Sequence, residues 1–216
     1  MNKLERIERL LPEEIEKRSF EIITEELNKQ GIVLPKENGS IIKRAIHTSA
    51  DFEYAHSLKF SPDAVKKVKE LIINGADIVT DTNMALSGIN KKVLEKYGGE
   101  VHCFMADEEV ANEAKQKGAT RAYISMQKAS AIDKPLIFAI GNAPTALVSL
   151  YEMYQRNEYR PAFVIGVPVG FVNVELSKEL IMETDIPFIV NEGRKGGSNI
   201  AAAICNAILY ELDRKA

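Results

Sequence analysis

The chain has 216 residues, of which 45% are hydrophobic and 27% charged, and its formal net charge is -3 at pH 7. This balance is typical of a globular protein, and we expect residues 1–216 to form a single domain. The slight negative charge argues against a dedicated nucleic-acid binder, so local cations must hold any anionic ligand.

The N-terminal segment is charged throughout, and no apolar run is long enough for a signal peptide or a membrane span. We therefore expect a cytoplasmic protein. Cys103 and Cys205 lie in apolar sequence and match no metal-ligand spacing, so free buried thiols are expected. With three histidines and no HxxxH or CxxC pattern, no protein metal site is expected.

The first predicted helix begins near Pro12, carries apolar side chains at helical spacing and ends at Gly31. Its first half contains Lys17, Arg18 and Ser19. Charged side chains on a helix commonly face water, so these three residues fit either a solvated face or a ligand contact.

A second short segment, one or two helical turns over residues 40–46, delivers His47. Lys43 and Arg44 precede this histidine, and Asp51 follows it. Histidine exchanges protons near neutral pH, as general acid or base catalysis requires. An isolated histidine is more often a surface or capping residue, so this stretch alone does not assign catalysis.

The next helix is predicted to begin at Ser61-Pro62-Asp63, with Ser61 as its cap, and to end at Asn74-Gly75. Short apolar runs then alternate with helical patterns. We predict strands at residues 77–81, 101–105, 136–140, 162–166 and 187–191, and helices at residues 107–117, 121–131, 145–155, 174–183 and 199–212. This alternation predicts a doubly wound, three-layer α/β/α fold with a mainly parallel five-stranded sheet.

In such sheets, ligands bind outside the carboxyl ends of the strands. The least ordinary segments of the chain lie at those ends: residues 81–83, 141–145, 166–170 and 191–198. Four strand ends on one rim predict a ligand site there.

The segment Gly193-Arg194-Lys195-Gly196-Gly197-Ser198 combines three glycines and two cations before a helix, which favours anion binding over a flexible turn. It is not a Walker A sequence, and no strand is followed by GxGxxG, so a nucleotide cofactor is disfavoured.

The other strand ends offer different chemistry. Asn142 lies in a turn that serves either helix initiation or ligand contact. Residues 166–172 are mostly apolar and suit a large hydrophobic ligand. Arg121 adds a cation suited to carboxylate recognition. A large polycarboxylate with an apolar centre fits this inventory, as does a reaction needing only positioning and proton transfer.

Four motifs together resemble the precorrin-8X methylmutase family, including its cobalt-precorrin-8 branch. The resemblance extends from about Ile15 to the final helix and rests on residues 47–52 (HTSADF), 142–147 (NAPTAL), 168–172 (PVGFV) and 193–198 (GRKGGS). It implies an α/β/α isomerase of cobalamin biosynthesis, generally a homodimer with sites near the subunit interface. The implied reaction moves a methyl group from carbon 11 to carbon 12 of the corrinoid ring without an organic cofactor.

The resemblance also implies residue roles. His47 corresponds to the catalytic histidine, which donates a proton or a hydrogen bond to the ring beside the migrating methyl group. The residues matched to substrate binding are Lys17, Ser19, Thr82, Arg121, Asn142, Arg194, Lys195, Gly196 and Gly197. Lys43 and Arg44 then become helix residues with no assigned substrate contact.

Two other functions remain as alternatives to the isomerase. A corrinoid carrier that hands product to the next enzyme would bind product tightly without turnover, and a nucleotide-using α/β enzyme would be stabilised by ATP or NAD. The HTSADF form favours a cobalt-containing substrate over a metal-free one.

Overall fold

The computed structural model describes residues 3–214 and contains one six-stranded sheet with helices on both faces. The strands are β1 (Leu58–Phe60), β2 (Asp77–Thr80), β3 (Val101–His102), β4 (Leu136–Ile140), β5 (Phe163–Gly166) and β6 (Phe188–Asn191). Their order across the sheet is β1-β6-β5-β4-β2-β3. Strands β2 to β6 are mutually parallel, and β1 pairs antiparallel with β6. The predicted α/β class with a mainly parallel sheet is confirmed.

Eleven α-helices occur among the described residues, preceded by a 3-10 turn at Lys3–Arg6. They are α1 (Pro12–Lys29), α2 (Gly39–Ser49), α3 (Tyr54–Ser57), α4 (Ala64–Ile73), α5 (Asn83–Gly88), α6 (Lys91–Glu95), α7 (Glu108–Lys117), α8 (Arg121–Ala129), α9 (Pro144–Gln155), α10 (Val174–Met182) and α11 (Ser198–Asp213). The proline at the start of both α1 and α9 agrees with the prediction.

The count of five strands was wrong, because the edge strand β1 was not predicted. It has only three residues and carries a charged Lys59 at its centre, so it lacks the apolar run of a buried strand. Strand β3 is also shorter than predicted and ends at His102.

The predicted cap at Ser61 was wrong as well. Helix α4 begins at Ala64 after Asp63, which has a left-handed φ of 58°. The Ser61 hydroxyl instead accepts a hydrogen bond of 2.9 Å from the Phe188 amide, tying the start of β6 to this turn.

Side chains of the central strands alternate between two cores, as the pleat of a sheet requires. On β4, Ile137 and Ala139 pack with helices α1, α2, α4 and α11, whereas Leu136, Phe138 and Ile140 pack with α8, α9 and α10. This alternation produces the three layers. Among the helices of residues 3–214, none combines the length and the apolar composition that a membrane span requires.

Candidate active site

Asp81 joins the carboxyl ends of β2 and β4. Its carboxylate is fully buried and accepts hydrogen bonds from the amides of Gly141 (2.9 Å), Asn142 (2.8 Å) and Ala143 (2.6 Å). Burial raises the pKa of this carboxyl group, while the three amide donors act in the opposite direction. Asp81 therefore fixes the turn that carries Asn142, leaving the Asn142 side chain exposed to solvent.

Thr82 connects the same strand end to the start of α11. Its hydroxyl accepts a hydrogen bond from the Ala85 amide (3.1 Å), which caps α5, and lies 2.8 Å from the Ser198 hydroxyl. At Gly141, a Cβ atom would lie 2.6 Å from the Ser198 Cα atom, so only glycine permits this close approach. The ends of β2 and β4 and the start of α11 thus meet at one place.

Residues 192–197, which we call the glycine loop, follow the end of β6 and lie against the end of β5. The Gly197 amide donates to the Val167 carbonyl at 2.9 Å. Gly196 has a φ of 154°, and a Cβ atom there would lie 2.0 Å from the Val167 carbonyl oxygen. Glycine is therefore required at position 196 by the close approach of two backbone segments.

Lys195 links the glycine loop to the residues that follow α2. Its Nζ atom lies 2.5 Å from Asp51 Oδ2 and 2.6 Å from Glu53 Oε2. The hydrogen bond from Lys195 holds the pKa of Asp51 below its ordinary value, and the two carboxylates raise the pKa of Lys195. In this structure the Lys195 charge is matched by protein carboxylates.

The direction of α2 brings His47 toward the rim formed by the strand ends. Ser40, near the start of α2, hydrogen-bonds Glu211 near the end of α11, whereas Asp51, just after α2, contacts the loop that precedes α11. The two helices therefore run antiparallel, and the last turn of α2, which contains His47, lies at the end of α11 that begins at the strand ends.

His47 is exposed, and its ring lies against α1, with its centroid 5.3 Å from that of Phe20. Close to it, Glu16 is held by Arg44 through hydrogen bonds of 2.9 and 3.0 Å. These bonds keep the pKa of Glu16 below its ordinary value, and the charge of protonated His47 acts in the same direction.

Lys43 and Arg44 bind α1, and this agrees with their interpretation as helix residues. Lys43 Nζ donates to the Thr24 hydroxyl at 2.9 Å, and the Arg44 guanidinium also lies 4.8 Å from the Phe20 ring centroid. Their charges therefore position α2 against α1.

Lys17 and Ser19, the predicted substrate contacts on α1, lie on the same helix as Phe20, against which the His47 ring packs. Lys17 is exposed and lines a surface cavity of about 590 Å³ together with Phe20, Thr24 and Arg214. The Ser19 hydroxyl donates to the Ile15 carbonyl within the helix at 2.8 Å, so its lone pairs remain open to a donor.

Arg121 begins α8, on the opposite face of the sheet from α2. It is exposed, and one of its N–H groups donates to the Met105 carbonyl at 3.4 Å. The hydroxyl of its capping neighbour Thr120 lies 2.7 Å from that of Thr145, in the first turn of α9. Arg121 is thus tied to the turn that carries Asn142.

Large apolar side chains at the strand ends are open to solvent. Phe171 is 84% exposed and Val172 77% exposed after β5, and Met84 is 70% exposed after β2. The Arg194 guanidinium lies 5.7 Å from the Phe171 ring centroid and donates to Glu175 at 2.8 Å. An exposed apolar patch with cations at its border is typical of a ligand or protein interface.

Two buried polar residues behind the glycine loop were not predicted. Lys178 is only 1% exposed, and Asn191 is fully buried. A single lysine in an amphipathic helix normally predicts a solvated face, so no local pattern marks Lys178 as buried. Asn191 belongs to the strand-end segment 191–198, which we predicted to contact a ligand, but its buried position beneath the loop was not predicted.

Comparison with known proteins identifies the relatives of the chain. The precorrin-8X methylmutase family model matches residues 14–211. A cobalt-precorrin-8 methylmutase of Priestia megaterium is 46% identical over 91% of this chain and 87% of its own, and one of Salmonella typhimurium is 42% identical over 93% and 96%. A crystal structure of the precorrin-8X methylmutase from Thermus thermophilus superposes with a TM-score of 0.83 at 36% identity, covering 94% of this chain and 98% of its own.

Proposed function

The chain belongs to the precorrin-8X methylmutase family, isomerases of cobalamin biosynthesis, and we propose that it acts on the cobalt-containing substrate with His47 as its proton donor. The reaction breaks the bond between the methyl group and ring carbon 11 and forms the bond to carbon 12. It needs no nucleophile from the protein, so positioning and proton transfer are the tasks left to side chains. Substrate and product are isomers, so for each proton that His47 donates to the ring, one proton leaves the ring for His47 or for solvent in the same turnover.

The observation that carries the proposal is the convergence of the strand ends with the end of α2. The Lys195 bond to Asp51 joins the glycine loop to the segment that follows His47. A substrate held by the glycine loop is thereby brought to the same rim as the exposed imidazole. A neighbouring acid group contributes on the order of a hundredfold to ten-thousandfold to such a step.

The chemistry of the rim supports a corrinoid ligand. A conjugated macrocycle bearing acetate and propionate groups needs apolar contacts at its centre and cations around its edge. Phe171, Val172 and Met84 supply exposed apolar surface. The proposed partners for the carboxylates and polar groups are Lys17, Ser19, Thr82, Arg121, Asn142, Arg194, Lys195, Gly196 and Gly197.

The choice of the cobalt form is supported by the relatives from Priestia megaterium and Salmonella typhimurium, which are cobalt-precorrin-8 methylmutases and share more sequence with this chain than the Thermus thermophilus precorrin-8X methylmutase does. We further propose that the enzyme is a cytoplasmic homodimer formed by a single folded domain. Exposed apolar side chains at Leu4, Ile7, Leu11 and Ile15 offer a surface for a second copy. The names of the relatives favour an isomerase over a corrinoid carrier.

The test of His47 is the pair His47→Asn and His56→Asn, because both histidines are exposed near the ends of helices α2 and α3. The first variant should bind the corrinoid with little change in KM but convert it at least a hundredfold more slowly, since only proton transfer is lost. The second should retain full activity. Conversion is followed by the visible absorption spectrum, and equal activity of the His47 variant and the wild type would remove His47 from catalysis.

A further inference from the structure

We propose that Lys178 is a positioning residue for substrate binding, whose ammonium group holds the backbone of the glycine loop in its binding conformation. The inference rests on the proposed function, because the loop carries Arg194, Lys195, Gly196 and Gly197. Lys178 itself lies behind the loop, on α10, and does not touch the substrate in this arrangement.

The contacts of Lys178 are unusual for a lysine. Its side chain is 1% exposed, and Nζ donates to the carbonyl oxygens of Gly193 (2.6 Å) and Lys195 (2.9 Å). Among the described residues no carboxylate forms an ion pair with it, since nearby Glu175 binds Arg194. Burial lowers its pKa to about 8.

Asn191 completes the inner side of the loop. Its Nδ2 atom donates to the carbonyls of Lys195 (2.8 Å) and Glu192 (3.1 Å), and its Oδ1 atom accepts from the Ser57 hydroxyl at 2.7 Å. The ammonium group of Lys178 and the side-chain amide of Asn191 thus hold three carbonyls of the loop, those of Glu192, Gly193 and Lys195, on its inner side.

Because these peptides are trans, each carbonyl that points inward places the N–H group of the same peptide on the outer side of the loop. In a trans peptide the N–H points opposite to the C=O, and none of the described peptides is cis. The Arg194 and Gly196 amides, which share peptides with the carbonyls held by Lys178, therefore face away from its ammonium group, and the Gly193 amide faces away from Asn191. No described backbone carbonyl accepts from them.

The buried ammonium group of Lys178 therefore does more than fill space in the core, because it fixes the conformation of the glycine loop. A buried ammonium without a carboxylate partner is costly, and a methionine of similar length would avoid that penalty. What methionine cannot do is hold the carbonyls of Gly193 and Lys195 inward. The outward amides and the local positive charge both suit a substrate carboxylate.

The experiment compares Lys178→Met with Lys115→Met, which replaces an exposed lysine on α7. With the cobalt-containing substrate, Lys178→Met should raise KM at least tenfold while kcat stays within threefold, because the loop affects binding and not proton transfer. Lys115→Met should change neither value. Lys178→Gln, which keeps two donors on a shorter neutral side chain, should give an intermediate KM.

Hydrogen exchange without substrate provides a second readout that does not depend on the reaction. The Gly197 amide, which donates to the Val167 carbonyl, should exchange at least tenfold faster in Lys178→Met and Lys178→Gln than in the wild type, whereas the amides of β4 should not change. Unchanged KM and unchanged loop exchange would overturn the role of Lys178, as would a loss confined to kcat. Failure of the wild type to convert any corrinoid would instead overturn the proposed function, and hydrogen exchange would still test whether Lys178 holds the loop.

Discussion

Replacing Asp81 tests how the strand ends are held together. In Asp81→Asn, the side-chain oxygen of asparagine can accept a hydrogen bond as one carboxylate oxygen did. The side-chain NH2 group takes the place of the other oxygen and faces a backbone N–H group, which is also a donor. At least one of the three hydrogen bonds is lost and one buried N–H is left without an acceptor. A lost bond to a charged group and an unsatisfied buried donor each cost about 1–3 kcal/mol, and removal of the buried charge offsets part of that cost, so we expect a destabilisation of about 3 kcal/mol.

In Asp81→Ala all three amides of residues 141–143 lose their acceptor. Removing the buried charge offsets part of that loss, and we expect a net destabilisation of about 5 kcal/mol. The matched control is Asp133→Asn, at an exposed aspartate outside the strand ends, which should stay within about 0.5 kcal/mol of the wild type.

Urea unfolding measures these differences. With a slope of about 3 kcal/mol per molar, the midpoint of Asp81→Asn should fall by about 1 M and that of Asp81→Ala by more. A stability of Asp81→Asn within 1 kcal/mol of the wild type, or an alanine variant more stable than the asparagine variant, would show that these hydrogen bonds do not hold the strand ends together.

Gly196→Ala should lower the free energy of unfolding by at least about 3 kcal/mol, because its Cβ atom would meet a backbone carbonyl. Gly193→Ala, at a φ of 77° with open space around it, should cost only about 1–2 kcal/mol. Thermal unfolding compares the two variants, and equal losses would contradict the close approach at Gly196. Thr82→Val should cost about 1–2 kcal/mol through loss of the α5 cap, while Thr82→Ser should keep it, and a stable valine variant would argue against that bond. Burial acts to raise the pKa of Asp77, but its hydrogen bonds from Lys134, His102 and a backbone amide outweigh burial and hold the pKa below its ordinary value. The stabilisation by ionised Asp77 is therefore complete above about pH 4 and is lost as pH falls below that value. The urea midpoint of the wild type should fall more between pH 6 and pH 3 than that of Asp77→Asn. Equal falls in the two midpoints would contradict this role of Asp77.

The central strands were predictable because burial on both faces leaves a clear signal. Leu136–Ile140 is apolar at every position, and the structure buries every one of its residues. Strand β1 left no such signal, since it covers only one edge of the sheet and gains its place from antiparallel pairing with β6. Pairing between distant segments is tertiary information that three residues cannot encode locally.

The candidate site was predictable where glycine and strand ends coincide, and not where buried polar groups support it. Gly196 and Gly197 stood out because closely spaced glycines mark unusual backbone, and the structure gives both a positive φ. Lys178 and Asn191 contact the loop from separate elements, so only the folded chain brings them together. The roles assigned to His47 and to the substrate contacts remain predictions for kinetics to test.

The most direct test of the central claim is anaerobic incubation of the purified wild-type protein with cobalt-precorrin-8 and, separately, with the metal-free substrate, followed by visible spectra of the product. We predict conversion of the cobalt form with a kcat/KM at least tenfold above that of the metal-free form. Faster conversion of the metal-free form would contradict the assignment of cobalt, and conversion of neither corrinoid would contradict the assignment as a methylmutase.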